Sequence, residues 1–394
     1  MSAIQPKILT WARDTAGLSL KDAARALGFT DARGRTGAQR LEALELGEDE
    51  PTRPVLLKMS KTYHRPLLVF YLAEPPKTGD RGQDFRTLPG HDKFDPDLDA
   101  LVRDIKARQG LIRSMLEDDQ AEPLEFVSSA TTELSAPKLA ARMAERLDFS
   151  LATYRAARTA DDAFTYLRET IEASGVSVLL LGNLGSHHTN IPVQVFRGFA
   201  LADNIAPLIV INDQDAKAAW SFTALHELAH LWLGQTGISG TDSENRIERH
   251  CNDVAGEFLL PASELRQLVP VLKLGVATIS ERIGQFSETH RVSRAMVAYK
   301  LYRAGMIGKT TWVALDQFFK EEYLQFRQRQ AEKNKNAEGG PNYYIVRRHR
   351  VGSALLRLVR RSLDEGTITY TKAGRVLGVK PRSVEPLLSM QGAG

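Results

Sequence analysis

The 394-residue sequence predicts an α+β fold, mostly helical, with one small sheet. Three observations predict it. Apolar residues recur at helical spacing over most of the chain. Three short runs rich in β-branched residues fall between residues 176 and 211. A helix carrying two histidines four residues apart follows them directly. The length suggests two or three domains, and 43% hydrophobic with 25% charged residues is the composition of an ordinary globular chain. The expected division is a helical module over 1–75, a linker and helical segment over 76–150, a catalytic domain over 151–338 and a basic helical module over 341–394.

The elements follow from local signals. Pro6 opens a first helix. Ser19 is an N-cap for 20–27, and Gly28 is its stop. Helices over 39–46 and 55–63 come next, before a Pro/Gly-rich linker at 75–82. A long helix is expected over 96–116, with Leu98, Leu101, Ile105, Leu111, Ile112 and Met115 on its apolar side, then helices over 137–147 and 160–173. Strands are expected at 176–181, 193–201 and 208–211. Helices over 220–233 and 247–260 end at Gly234 and Pro261. A helical pair over 279–286 and 293–303 reads as packing within the same domain. A charged helix over 315–335 leads to the break at Gly339, Gly340 and Pro341. Beyond it, residues 371–379 hint at another small helical, repressor-like fold.

The chemistry concentrates in His226-Glu227-Leu228-Ala229-His230. Side chains four apart share one helix face, so two imidazoles reach one Zn²⁺, and the glutamate beside the first acts on a water as general base. Catalytic zinc takes three protein ligands and leaves a position open. The third is assigned to Glu248 on the next helix, where Ile247, Cys251, Val254, Ala255 and Phe258 form the apolar stripe. Asn252, four residues on, is expected to orient a ligating histidine. Glu244 or Asp253 substitutes for Glu248 if that helix starts elsewhere, whereas His250 points away. Such a His₂Glu set also accepts Mn²⁺ or another divalent ion. No second oxyanion donor is evident, and His187, His188 and His290 are candidates by residue type alone. The single cysteine, Cys251, excludes an internal disulfide.

The motif with its flanks, H-E-L-A-H-L-W-L-G and then E-R-H-C-N-D-V-A-G-E-F-L-L-P, resembles the ImmA/IrrE family of metallo-endopeptidases over about residues 160–330. The resemblance implies a zincin-like core of the gluzincin type, with a Glu ligand and Asp or Asn four residues later. It also implies a protein substrate, a helix-turn-helix repressor or antitoxin, whose cleavage derepresses stress or mobile-element genes. The segment Phe196, Arg197, Gly198, Phe199, Ala200 is expected to be a sheet edge that takes the substrate backbone as an added strand.

Residues 4–73 resemble the helix-turn-helix module of the XRE family, carried by Ala-Ala-Arg-Ala-Leu-Gly and Leu-Glu-Leu-Gly-Glu. Arg33, Arg35, Gln39 and Arg40 are the residues expected near DNA. Over residues 1–75, eleven basic against nine acidic residues make that module only weakly basic. From residue 341 onward, ten Lys/Arg face three acids, a net charge of +7, which suits nucleic acid or an acidic partner. No apolar run approaches the ~20 residues that span a bilayer, and no secretory leader is apparent, so a cytoplasmic protein without a membrane partner is expected. The competing function is a DNA-binding transcriptional regulator or toxin–antitoxin component whose zinc domain senses or scaffolds.

Overall fold

The computed structural model describes residues 4–32, 34–76, 95–185, 189–239, 246–335 and 342–390. The chain divides into two compact units, Met1–Ile105 and Lys106–Gly394. The expected breaks near residues 150 and 340 are not unit boundaries.

In the first unit, α1 (Pro6–Asp14), α2 (Leu20–Leu27), α3 (Gly37–Leu46) and α4 (Arg53–Thr62) precede a 3₁₀ turn, Leu67–Tyr71. Their apolar faces meet in a core that includes Ile8, Leu9, Leu27, Leu41, Met59 and Phe70. The caps are those the residue types favour. Ser19 accepts from the Asp22 amide, and Gly28 ends α2 in the left-handed region at φ 75°. Arg13 ties α1 to α3 through a 2.8 Å bond to the buried Glu45.

The boundary between units falls within α5 (Pro96–Asp118). In the second unit, α6 (Ala136–Arg146), α7 (Leu151–Ala156) and α8 (Ala160–Ala173) come before the sheet. Strands β1 (Ser177–Leu180), β2 (Gly198–Leu201) and β3 (Leu208–Ile211) lead into α9 (Lys217–Trp232). A fourth strand, β4 (Gly237–Ser239), precedes α10 (Arg246–Leu259). The order is β1-β3-β2-β4, with β1 parallel to β3 and the other pairs antiparallel. All four residues of both β2 and β3 are buried, as their unbroken apolar runs require. The strand expected from residue 193 starts only at Gly198. Before it, the Asn212 side-chain amide donates to the Ile191 and Phe196 carbonyls and holds the backbone in a turn.

Then follow α11 (Val276–His290), α12 (Arg294–Arg303), α13 (Lys309–Lys335), α14 (Tyr343–Val351), α15 (Ser353–Asp364), α16 (Tyr370–Leu377) and α17 (Val384–Ser389). Helix α14 packs against β1. The basic segment joins this unit through a buried ion pair. Arg168 and Glu172 on α8 lie 2.9 Å apart. The Arg168 guanidinium donates to the carbonyls of Val178 on β1 and of His349 and Arg350 on α14. Glu172 accepts from the Ser353 hydroxyl at 3.0 Å and the Ala354 amide at 2.9 Å, at the start of α15. A charge so placed is tolerated because its remaining donors and acceptors are filled. Gly352 is required at this junction: a Cβ there would lie 2.0 Å from Glu172 Oε1. Among the described residues, no helix is long and apolar enough to cross a membrane.

Candidate metal centre

Helix α9 is apolar on nearly all sides. Trp220, Ala224, Leu225, Leu228, Ala229, Leu231 and Trp232 are buried, so the helix runs through the core of its unit. Three ionisable side chains on it are buried as well: His226 is 4% exposed, Glu227 0% and His230 2%. Burial of such groups costs free energy unless they are paired or hold an ion. Helix α10 packs against α9 with Cys251, Val254 and Ala255 inward, which brings Glu248, in its first turn, to the two histidines.

The three side chains converge. The two imidazole Nε2 atoms are 3.1 Å apart. One Glu248 oxygen lies 3.2 Å from His226 Nε2, and the other lies 3.2 Å from His230 Nε2. Donors placed tetrahedrally around zinc at its usual bond length sit about 3.3–3.4 Å apart. One donor atom from each of the three residues lies within 4.8 Å of the others, a spacing compact enough for a single divalent ion. Burial pushes the Glu248 carboxyl up, but hydrogen bonds and charge from the two imidazoles outweigh it and hold the group well below the usual carboxylate range. Burial, with Glu248 and Glu227 nearby, raises the Cys251 thiol well above its ordinary value, which favours the protonated form.

Glu227 faces the sheet. A Cβ on Gly198 would lie 2.8 Å from Glu227 Oε1 and 2.6 Å from Thr223 Cγ2. Glycine is needed because α9 crosses β2 where the carboxylate sits. The expectation that Phe196, Arg197, Gly198, Phe199 and Ala200 form a free edge is corrected here. Strand β2 is hydrogen-bonded to β3 on one flank and β4 on the other. Phe196 and Phe199 are fully buried, and Arg197 pairs with Asp215 at 3.0 Å. The edge on this side of the sheet belongs to β4, whose three residues gave no recognisable strand pattern.

The expected link from Asn252 to a ligating histidine is also absent. Among the described residues, Nδ1 of both His226 and His230 lacks a hydrogen-bond partner. His250 and Asp253 lie outside the cluster, and Asp253 pairs instead with Arg303 at 2.6 Å. His290 bonds to Phe286 O and Glu264. Glu244, His187 and His188 fall outside the described residues. A cavity of roughly 550 Å³ occupies the other end of α9, lined by Arg197, Asp215, Ala219, Arg294 and Phe319, and it contains none of the three converging side chains.

Residues 182–302 match the Peptidase_M78 family, described as the IrrE N-terminal-like domain. The matched stretch runs from the loop after β1 into α12 and contains the whole cluster. It supports a metallopeptidase of the ImmA/IrrE kind and leaves the flanking helical segments unassigned. No curated protein and no solved structure matches the chain.

In the first unit, the residues expected near DNA make the following contacts within the unit. Gln39 forms a capping box with Thr36, its side chain accepting from the Thr36 amide at 2.8 Å. Arg40 donates to Thr30 O at 2.8 Å and lies over the Phe29 ring. Arg35 pairs with Glu48 and Asp49. Arg33 lies outside the described residues. Nine residues, 28–36, separate α2 from α3, too many for the short turn of a compact helix-turn-helix.

Proposed function

We propose that this protein is a zinc-dependent endopeptidase whose ligands are His226, His230 and Glu248 and whose general base is Glu227. The convergence of two buried imidazoles and the half-buried Glu248, with the buried carboxylate of Glu227 next to them, carries this reading. A divalent ion held there supplies polarisation of a scissile carbonyl and a water of near-neutral pKa. Glu227 takes the proton of the attacking water and returns it to the leaving amine. Its carboxylate is held in place by α9 on one side and the bare backbone of Gly198 on the other. A structural zinc site has no use for such a base, which weighs against a purely sensing or scaffolding domain.

The substrate in this reading is a protein segment that extends beside β4 and adds to the sheet as a strand. Strand β4 carries β2 on one flank and, among the described residues, no strand on the other. A helix-turn-helix repressor or antitoxin is the proposed target, and its loss would switch on the genes it silences. The test is cleavage of a proteome-derived peptide library, read by mass spectrometry, with wild type and Glu227→Gln run side by side at equal metal content. Wild type cuts and the variant does not. Equal cutting by both removes Glu227 from the mechanism.

A further inference from the structure

Outside the metal centre, the feature with the most developed geometry is the pair α16 and α17. Helix α16 is N-capped by Thr369 and ends at Gly378, which adopts φ 64°. The Val379 amide returns to Gly374 O at 2.8 Å. Pro381 then opens a second helical stretch: the 3₁₀ turn Pro381–Ser383 runs directly into α17. Only residues 378–380 separate the two. Gly374 shows that the connection folds back over the first helix, since a Cβ there would lie 2.8 Å from Val379 O and 3.3 Å from Pro381 N. Two short helices, a three-residue turn opened by a left-handed glycine and a second small residue where the turn crosses are the parts of a helix-turn-helix.

The inward face is a packed core of Ala373, Val376, Leu377, Val384, Leu387 and Leu388. Two arginines of α14 hold both helices by their carbonyl ends. Arg347 donates to Leu377 O at 2.9 Å, and Arg348 donates to Leu387 O at 2.7 Å. The outward face differs in character. Arg375, Lys380 and Arg382 are exposed, and none of them has an ion-pair partner among the described residues. Glu385, the one acid on these two helices, accepts from the Tyr370 hydroxyl at 3.0 Å. Apart from Tyr370, the face carries no large apolar side chain of the kind that anchors a protein interface.

We propose that α16 and α17 form a site for duplex DNA. The stretch 381–389 lies in the major groove, with Lys380 and Arg382 at its entry and Thr371 and Arg375 against the phosphates. The site is independent of the metal centre, so the chain joins a proteolytic site to a DNA-reading surface.

Selection of a random duplex pool on the full chain, followed by fluorescence anisotropy on the enriched duplex, tests this. Arg382→Ala is expected to weaken binding by roughly 5- to 150-fold, the range of one lost base-edge contact. Lys380→Ala or Arg375→Ala lowers the slope of log affinity against log salt by about one phosphate contact. Arg35→Ala, in the first unit, changes neither. Thermal unfolding of each variant verifies folding, and the exposure of all four side chains leaves the fold unthreatened. Failure to enrich any duplex overturns the proposal, as a surface built for a protein partner would produce. Binding unchanged in a Lys380→Ala/Arg382→Ala double variant overturns it equally.

Discussion

The second unit holds two histidine–glutamate clusters of nearly equal contact distance, each built on buried imidazoles, and they differ in their surroundings. In one, Glu248 lies 3.2 Å from both His226 and His230. In the other, Glu264 lies 3.1 Å from His290. The difference is what completes each. Glu264 is also 2.9 Å from Arg155, whose guanidinium reaches on to Leu259 O. His290 bonds through Nδ1 to Phe286 O at 2.8 Å and stacks on the Phe286 ring. Its carboxylate has a fixed cation, and a divalent ion would be repelled by it. Around Glu248 no arginine or lysine stands within ion-pair distance among the described residues, and two imidazole nitrogens point at the same space. A histidine beside a glutamate is therefore weak evidence for a metal. Three donors turned to one point with no cation among them is strong evidence.

Substitutions separate the two clusters. The largest effect is expected at the ligands: His230→Ala lowers affinity for Zn²⁺ by more than about 100-fold, whereas His290→Ala leaves it intact. Titration against a zinc-responsive dye measures both. Next is Glu227→Gln, which keeps the ion but cuts turnover by about 10²- to 10⁴-fold, the usual contribution of a general base. Arg155→Ala strips the cation from Glu264 and destabilises the unit by about 1–3 kcal/mol in chemical denaturation, with metal content unchanged. Retention of full stability would demote that cluster to a surface ornament. Gly198→Ala pushes a methyl group against Glu227 and Thr223. We expect a stability loss of about 1–3 kcal/mol and slower turnover at full metal occupancy.

The sequence made the metal helix legible because one local rule, four residues per shared face, placed both histidines. Glu248 was legible for the same reason, through the apolar stripe beside it. What stayed hidden depends on contacts between distant segments. Strand β2 was mistaken for an edge because its outer neighbour is three residues long. The basic segment after residue 341 read as a separate module because Arg168 and Glu172 look like an ordinary surface pair along one helix. Only the fold shows that they bind α14 and α15. The arginines of the first unit had the right chemistry for DNA. Their partners, Thr30 O, Glu48 and Asp49, are set by how that unit packs and so could not be weighed from residue type.

The most direct test is metal stoichiometry. The purified full chain, Glu248→Ala and Glu264→Ala would be loaded with zinc, desalted and analysed by inductively coupled plasma mass spectrometry. The convergence argument predicts one ion per chain in wild type and Glu264→Ala, and almost none in Glu248→Ala. An empty wild type, or a Glu248→Ala chain that holds its ion as tightly as wild type, contradicts it.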